Sequence, residues 1–362
     1  MPTDMPAPDL LRSHLAEAFR WSDDTRLDGG RIVFSLASIT IPVVIGFWAG
    51  HPSLGYVIGL GAMLLAGEQG ERADCHSHTL IASLVPVLLA VAAAAGIARL
   101  PFADVFMIAL VIPAATLVNY SRPAAVGGIR FIVFLVLNLG LIAGHGPQGR
   151  GAALMFGIGA LWRLALRLIA RHRRIPAELS SDAVPAERQP TSRQRRVHLG
   201  RMLRSWQGWQ YPVRLGLGLA AACAIRDRWP GHHFDWMVLS IALLTPRALE
   251  HVPVHITQRA VGTLIGVVLA GIVLYVAPGH AVIAGLVCLF GTLAPLLRSG
   301  NYAAYCIFAT PLILLAMDAD GALEPGTLVD RLVATLVGSL IVVGANVLMD
   351  RMLRGVRPAK PQ

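Results

Sequence analysis

Residues 79–98, TLIASLVPVLLAVAAAAGIA, decide the fold class, because this run carries no charge and nothing more polar than Thr79 and Ser83. About 20 such residues, rising ~1.5 Å each in a helix, span the ~30 Å hydrocarbon core of a bilayer. The pattern recurs on both sides of it. Apolar stretches at 31–50, 53–67, 79–98, 104–118, 128–144 and 152–170, then 211–226, 234–246, 260–277, 280–296, 302–316 and 328–349, read as about twelve transmembrane helices. Composition points the same way: 55% of the residues are hydrophobic and 14% charged, against about 25% charged in soluble domains. Two stretches, 53–67 and 234–246, fall short of a full crossing and are expected to be broken or partly re-entrant.

Between the sixth and seventh stretches lies a Pro/Ser/Arg-rich segment whose arginines include Arg171, Arg173, Arg174, Arg188, Arg193, Arg195, Arg196, Arg201 and Arg204. Basic loops stay on the cytoplasmic side, so this segment orients the chain with both termini inside. Nucleic-acid binding by the same charges is set aside, since beside membrane spans they serve topology. The expected organisation is an N-terminal cytoplasmic or interfacial segment (1–30), a first membrane unit (31–170), a basic linker (171–210), a second membrane unit (211–350) and a basic tail (351–362). The first residues lack the basic, apolar and small-residue order of a secretory signal, so none is expected to be removed. Cys75, Cys223, Cys288 and Cys306 have no metal or disulfide spacing and are read as inert helix residues.

The two units match one another in order. WAGH at 48–51 answers WPGH at 229–232, and TLI at 79–81 answers TLI at 263–265. Pro113 with Asn119-Tyr120 answers Pro295 with Asn301-Tyr302, and Arg150 with Gly157 answers Arg331 with Gly338. The expected fold is therefore an all-α membrane protein of two same-orientation six-helix repeats. A pseudo-two-fold axis along the membrane normal would relate them, with a path between the halves.

WMVLSIALLTP at 236–246 and TQRAVGTLIG at 257–266, followed by Asn301-Tyr302, FATP at 308–311 and RLVATLVG at 331–338, resemble the fusaric-acid-resistance (FUSC) membrane domain of the aromatic acid exporter superfamily. The resemblance is closest over 211–350 and looser over 31–170. It implies a bacterial inner-membrane protein that exports aromatic or related organic acids, often driven by protons and in some members with a periplasmic membrane-fusion partner. Homo-oligomerisation is left open, and no cofactor is expected. The chain departs from the family in lacking large cytoplasmic domains and in carrying Cys75-His76-Ser77-His78 where the second unit has Arg259 to Gly262.

The residues themselves suggest where an anion would be met. Arg259 opens an apolar helix, and its guanidinium must reach water, headgroups or an anion; a carboxylate suits its two-pronged donor set, while a lipid-facing anchor is the competing reading. Thr263 on the same helix lines the path or bonds to its own backbone. Gly262, Gly266, Ala270 and Gly271 put small residues on that helix for close packing. Asn301, Tyr302 and Thr310 complete the candidate substrate contacts, with helix capping the alternative for Asn301 and an interfacial belt for Tyr302. Arg331 is expected to pair with Asp330 beside it or to hold the outer helix end, and Trp48 and Trp236 to sit in the belt.

Asp235 and His232, with His233, are candidate proton carriers at the outer mouth, though Asp235 could cap a helix start. On the inner side His255 shares a polar loop with Glu250, His251, Thr257 and Gln258, mirrored by Glu68, Glu71, Asp74, His76 and His78; neither group has metal-ligand spacing. No P-loop, Gly-x-Ser-x-Gly elbow or catalytic carboxylate pair occurs, so no enzyme activity is expected. A proton-coupled exporter is the first functional reading, an organic-anion channel the second and a polytopic membrane enzyme a remote third.

Overall fold

The computed structural model describes residues 16, 19–22, 29–64, 77–144, 149–173, 191–245, 252–276, 279–298, 300–317 and 325–356. Among them the secondary structure is entirely helical. The helices are α1 (Gly29–Trp48), α2 (Pro52–Leu64), α3 (Ser77–Ile97), α4 (Ala103–Thr116), α5 (Arg122–Gly144), α6 (Gly149–Arg173), α7 (Ser192–Arg204), α8 (Trp206–Arg228), α9 (Asp235–Leu244), α10 (Val252–Val276), α11 (His280–Leu297), α12 (Tyr302–Met317) and α13 (Pro325–Val356). A 3-10 turn at Leu117–Asn119 follows α4.

Each expected apolar stretch coincides with a helix, and the helices differ in length. Among the described residues six helices, α1, α5, α6, α10, α11 and α13, are long and apolar enough to cross a bilayer. The apolar α2, α4, α9 and α12 are shorter, as is the part of α3 whose side chains are described. Helix α8 has the length but carries Arg214, Arg226, Asp227 and Arg228. The two stretches expected to be short are short: α2 has 13 residues and α9 has 10, so α9 is only ~15 Å long. The expected linker contains helical residues. Helix α6 runs on to Arg173, and α7 lies inside the segment, started by a capping box between Thr191 and Gln194. At the other end α13 continues into the expected tail as far as Val356.

The outward faces are apolar: Val33, Ile45, Leu89, Val105, Val268 and Leu340 are all exposed. Exposed apolar surface spread over so many helices is what lipid covers, and the molecule is a multi-pass membrane protein. Inside, one core joins α3, α4, α5 and α6 to α8, α9 and α13, and a second joins α1 and α2 to α11 and α12. Early and late helices are thus interleaved rather than packed as separate bundles. Two buried arginines add polar ties. Arg163 of α6 hydrogen-bonds Ser38 of α1 and lies 4.1 Å over the Phe34 ring, and Arg214 of α8 hydrogen-bonds Asn346 of α13.

The closest approach that matters for the site is between α10 and α12. A Cβ on Gly262 would stand 2.6 Å from both the Ala303 carbonyl oxygen and the Cys306 Cβ. One turn on, a Cβ on Gly266 would stand 2.7 Å from Thr310 Cβ and 3.0 Å from the Ile307 carbonyl. Pro311 denies that carbonyl its helical donor, and glycine lets the neighbouring backbone come up against it. Small residues at one-turn spacing on α10 therefore do pack, as their pattern suggested.

Candidate functional site

The α10 face that carries Gly262 and Gly266 begins one turn earlier with Arg259, so the packing that seats α10 on α12 also aims Arg259 at α12. Arg259 is 4% exposed. Its Nη1 donates to the Tyr302 hydroxyl (3.3 Å), its Nη2 reaches Ser240 Oγ at 3.5 Å, and its Nε has no hydrogen-bond partner. Along α12, Tyr305, Cys306, Ala309, Thr310 and Ile313 continue the same stripe into a cavity of about 40 Å³. Val133 and Leu137 of α5 and Leu239 and Leu243 of α9 form apolar walls.

A second cation enters this cavity. Arg331, 2% exposed, lines it together with Arg259. This corrects the expectation of a local pair with Asp330. The Asp330 carboxylate is engaged at the outer end, 2.8 Å from His232 Nδ1 and accepting from the His233 backbone N–H at 2.9 Å. Arg331 instead turns inward, its guanidinium 3.7 Å over the Trp236 ring, and its Nε and Nη1 find no partner. Trp236 is accordingly under a guanidinium rather than in an interfacial belt. By contrast Trp48 is 87% exposed, where a belt residue would be.

Two guanidinium groups, which stay protonated in proteins, thus face one space with no Asp or Glu among its described lining residues. Burying an unpaired cation is unfavourable by several kcal/mol, and orphaned N–H donors add to that cost. An anion in this space would offset both costs. The volume of that space admits a few waters or one carboxylate group, since a water needs roughly 10–15 Å³ on this measure.

Of the other expected contacts, Thr310 lines the cavity and Tyr302 holds Arg259. Thr263 is 1% exposed and outside the lining; its hydroxyl makes no hydrogen bond, so the expected bond to its own backbone is absent. Asn301 does not reach the cavity. Its Oδ1 accepts from the backbone N–H groups of Ala303 and Ala304, capping α12, while its Nδ2 donates to the Arg20 carbonyl.

The polar groups around Asp235 form a bridge. Arg226 of α8 pairs with Asp104 of α4, with Asp227 beside it and with Asp235 of α9 at 3.2 Å. Asp235 is therefore not the cap of α9, whose N-cap is Phe234 without a side-chain bond. His255, Thr257 and Gln258 lie in α10, which starts at Val252, and not in the expected loop; His255 Nδ1 is 3.2 Å from Gln258 Oε1, and its ring lies 5.5 Å from that of Tyr302. Glu68, Glu71, Asp74, Cys75, His76, Glu250 and His251 lie outside the described residues, as does the side chain of His78. Among the described residues no group of three His, Cys, Asp or Glu could hold a metal ion, and Cys223, Cys288 and Cys306 are free thiols.

Sequence reasoning missed Arg331, Trp236, Ser240 and Tyr305 as a group. The signal was available in the spacing: Trp236, Ser240 and Leu243 share one face of α9, and Tyr302, Tyr305, Cys306 and Ala309 one face of α12. Arg331 was misjudged because α13 begins at Pro325, three residues before the expected start at 328, which sets the arginine almost a turn deeper.

Comparison with known proteins reaches the same part of the chain. An uncharacterized protein of Haemophilus influenzae is 31% identical over 133 residues, which are 37% of this chain and 18% of that protein. No solved structure matches. Residues 219–345, which hold Arg259, Arg331, Trp236 and all of α9 to α12, match the fusaric acid resistance protein-like family, as the motifs in that stretch had indicated.

Proposed function

We propose that this protein is a secondary transporter of the inner membrane that exports organic acid anions, aromatic acids among them, through the Arg259–Arg331 cavity. The observation that carries the reading is the pair of buried arginines with orphaned donors and no acidic neighbour in their cavity. Desolvated guanidinium groups held by Tyr302, Ser240 and Trp236 are pre-organised to take a carboxylate. The enclosed cavity is too small for a whole aromatic acid, so entry requires the helices around it to part, as in alternating access.

The fold reading goes with it: α1–α6 and α8–α13 are two copies in one orientation. In support, α4 packs on α8 as α11 packs on α1, α3 packs on α5 and α6 as α10 packs on α12 and α13, and α2 packs on α6 as α9 packs on α13. Asn119 donates to the carbonyl of Gly208 in the first turn of α8, and its counterpart Asn301 donates to the carbonyl of Arg20, which precedes α1. The anion cavity then lies where α5 of one copy meets α9 and α12 of the other.

We assign proton exchange to His232 and Asp235, with Asp330, the partner of His232, beside them. The test is uptake of labelled 4-hydroxybenzoate into proteoliposomes with and without an imposed pH gradient. Wild type should accumulate it only with the gradient, and Arg259→Ala should abolish the flux. Conductance that ignores the gradient would identify an anion channel instead, and full flux in Arg259→Ala would remove the cavity from the path.

A further inference from the structure

We infer that α7 is a binding site for anionic phospholipid headgroups, with Arg193, Arg196, Arg201 and Arg204 of its outward face as the phosphate contacts. The inference is independent of the arginine cavity and of transport. Helix α7 reads SRQRRVHLGRMLR and contains no acidic residue. It is a capped helix and not a loose run of charge: the box between Thr191 and Gln194 starts it, and Arg201 and Arg204 in its last turn suit the negative end of its dipole. Arg195, Leu199 and Met202, at helical spacing, are half-buried and form the face turned to the protein. The other four arginines are exposed, and Arg193, Val197, Arg201 and Arg204 follow one another at steps of three and four along the opposite face. Val197, in the middle of that face, is 57% exposed. Among the described residues none of these four arginines pairs with an acid.

The elbow between α7 and α8 is what sets this face at a membrane. Ser205 is extended, Trp209 Nε1 donates back to the Leu203 carbonyl (2.8 Å), and a Cβ on Gly208 would collide with the Met202 carbonyl. The last turn of α7 is thereby fixed on the first turn of α8. Asn119, in the 3-10 turn after α4, donates to the Gly208 carbonyl at 2.9 Å, and α7 packs on that turn as well. Helix α7 therefore lies across the ends of α4 and α8 instead of projecting from them. The apolar stretch of α8 opens at Tyr211, and from Trp206 to that point the helix rises about 7.5 Å. The headgroup layer on each side of the hydrocarbon is roughly 5–8 Å deep, so α7 stands at its level. Exposed Trp206 is the residue type that sits there. Depth decides the ligand: a soluble polyanion needs none, whereas lipid phosphates occupy this level and accept two N–H bonds from each guanidinium fork. Exposed Arg122, which opens α5 beside the same 3-10 turn, extends the positive surface.

The experiment places a reporter on the outward face of the full-length protein. With Cys75, Cys223, Cys288 and Cys306 replaced by Ser, Val197→Cys is labelled with an environment-sensitive fluorophore and the purified protein is held in neutral detergent. Phosphatidylglycerol or phosphatidylcholine with the same acyl chains is then titrated in. Phosphatidylglycerol should give a saturable blue shift at a mole fraction about tenfold or more below that required of phosphatidylcholine, since each basic residue at an anionic surface contributes a factor of about five. Raising the salt should erase most of the difference. Combining Arg193→Gln, Arg196→Gln, Arg201→Gln and Arg204→Gln should abolish it with thermal unfolding in detergent unchanged, because the four side chains are exposed. Equal responses to the two lipids would overturn the inference, as would a preference that survives in the fourfold variant. Inorganic phosphate should give no shift; one equal to that of phosphatidylglycerol would reduce the face to a general anion patch and overturn the lipid assignment. A short RNA that binds where phosphatidylglycerol does not would assign the face to a soluble polyanion instead.

Discussion

Replacing Arg331 by Met should make the empty protein more stable while removing its response to anions. Met approximates the length of the arginine stem and leaves the charge out. Three effects compete. The repulsion between the two guanidinium groups that line one cavity is removed with the charge. Relief of burial adds several kcal/mol, because Arg331 is 2% exposed and two of its nitrogens lack partners. Against these stands the loss of the guanidinium stacked 3.7 Å over Trp236, worth about 1–2 kcal/mol when desolvated. The balance favours the variant by about 1–4 kcal/mol, the range found when buried charges give way to apolar side chains. The assay is thermal unfolding in detergent without ligand and then with saturating 4-hydroxybenzoate. Arg331→Met should unfold at a higher temperature than wild type without ligand, and adding 4-hydroxybenzoate should reverse the order. A lower midpoint for the ligand-free variant would refute the reasoning, for it would mean that Arg331 ties α13 to α9 and is not held ready for an anion.

Other substitutions test neighbouring parts of the argument. Gly262→Val drives a side chain into a space where even Cβ would stand 2.6 Å from a carbonyl oxygen, and should lower stability by about 1–3 kcal/mol. Gly344→Ala, with nothing within 4 Å, should leave the melting curve unchanged or raise it. Asn301→Ala removes the cap of α12 and should destabilise by about 1 kcal/mol with anion affinity unchanged; a matching loss of affinity would return Asn301 to the site. Arg226→Ala breaks the bridge from α4 to α9. With Cys75, Cys223 and Cys288 replaced by Ser, an impermeant thiol reagent added outside should then reach Cys306 about fivefold faster, the factor for ~1 kcal/mol. An unchanged rate would mean that the bridge does not close the outer side.

Much of the architecture was legible because its cause is one-dimensional. A run such as 79–98 must be a helix in lipid whatever surrounds it, and the shortness of 234–246 is countable. The small-residue stripe at Gly262 and Gly266 was equally plain, since close approach is decided by what is missing at Cβ. The site was only half legible. Arg259 stood out as a charge at the head of an apolar helix, whereas Arg331 had an acidic neighbour in sequence that offered it a local partner. That offer fails in three dimensions because the residues preceding α9 bring His232 and His233 to Asp330 first. The role of Asp235 was hidden for the same reason, its partner Arg226 lying on another helix and paired in turn with Asp104. Competition among polar groups for partners is settled by packing, which spacing along one helix does not record.

The two buried arginines also have an electrical consequence. In an alternating-access carrier an empty site bearing two positive charges is a gating charge: as access switches, the voltage drop passes from one side of them to the other. Crossing the full field with two charges amounts to roughly 4.6 kcal/mol at 100 mV. A membrane potential negative inside therefore drives the unloaded site toward the cytoplasm, where an exporter must reload. Under the proposed transport a bound anion offsets part of that charge, so the potential acts more on the return of the empty site than on delivery.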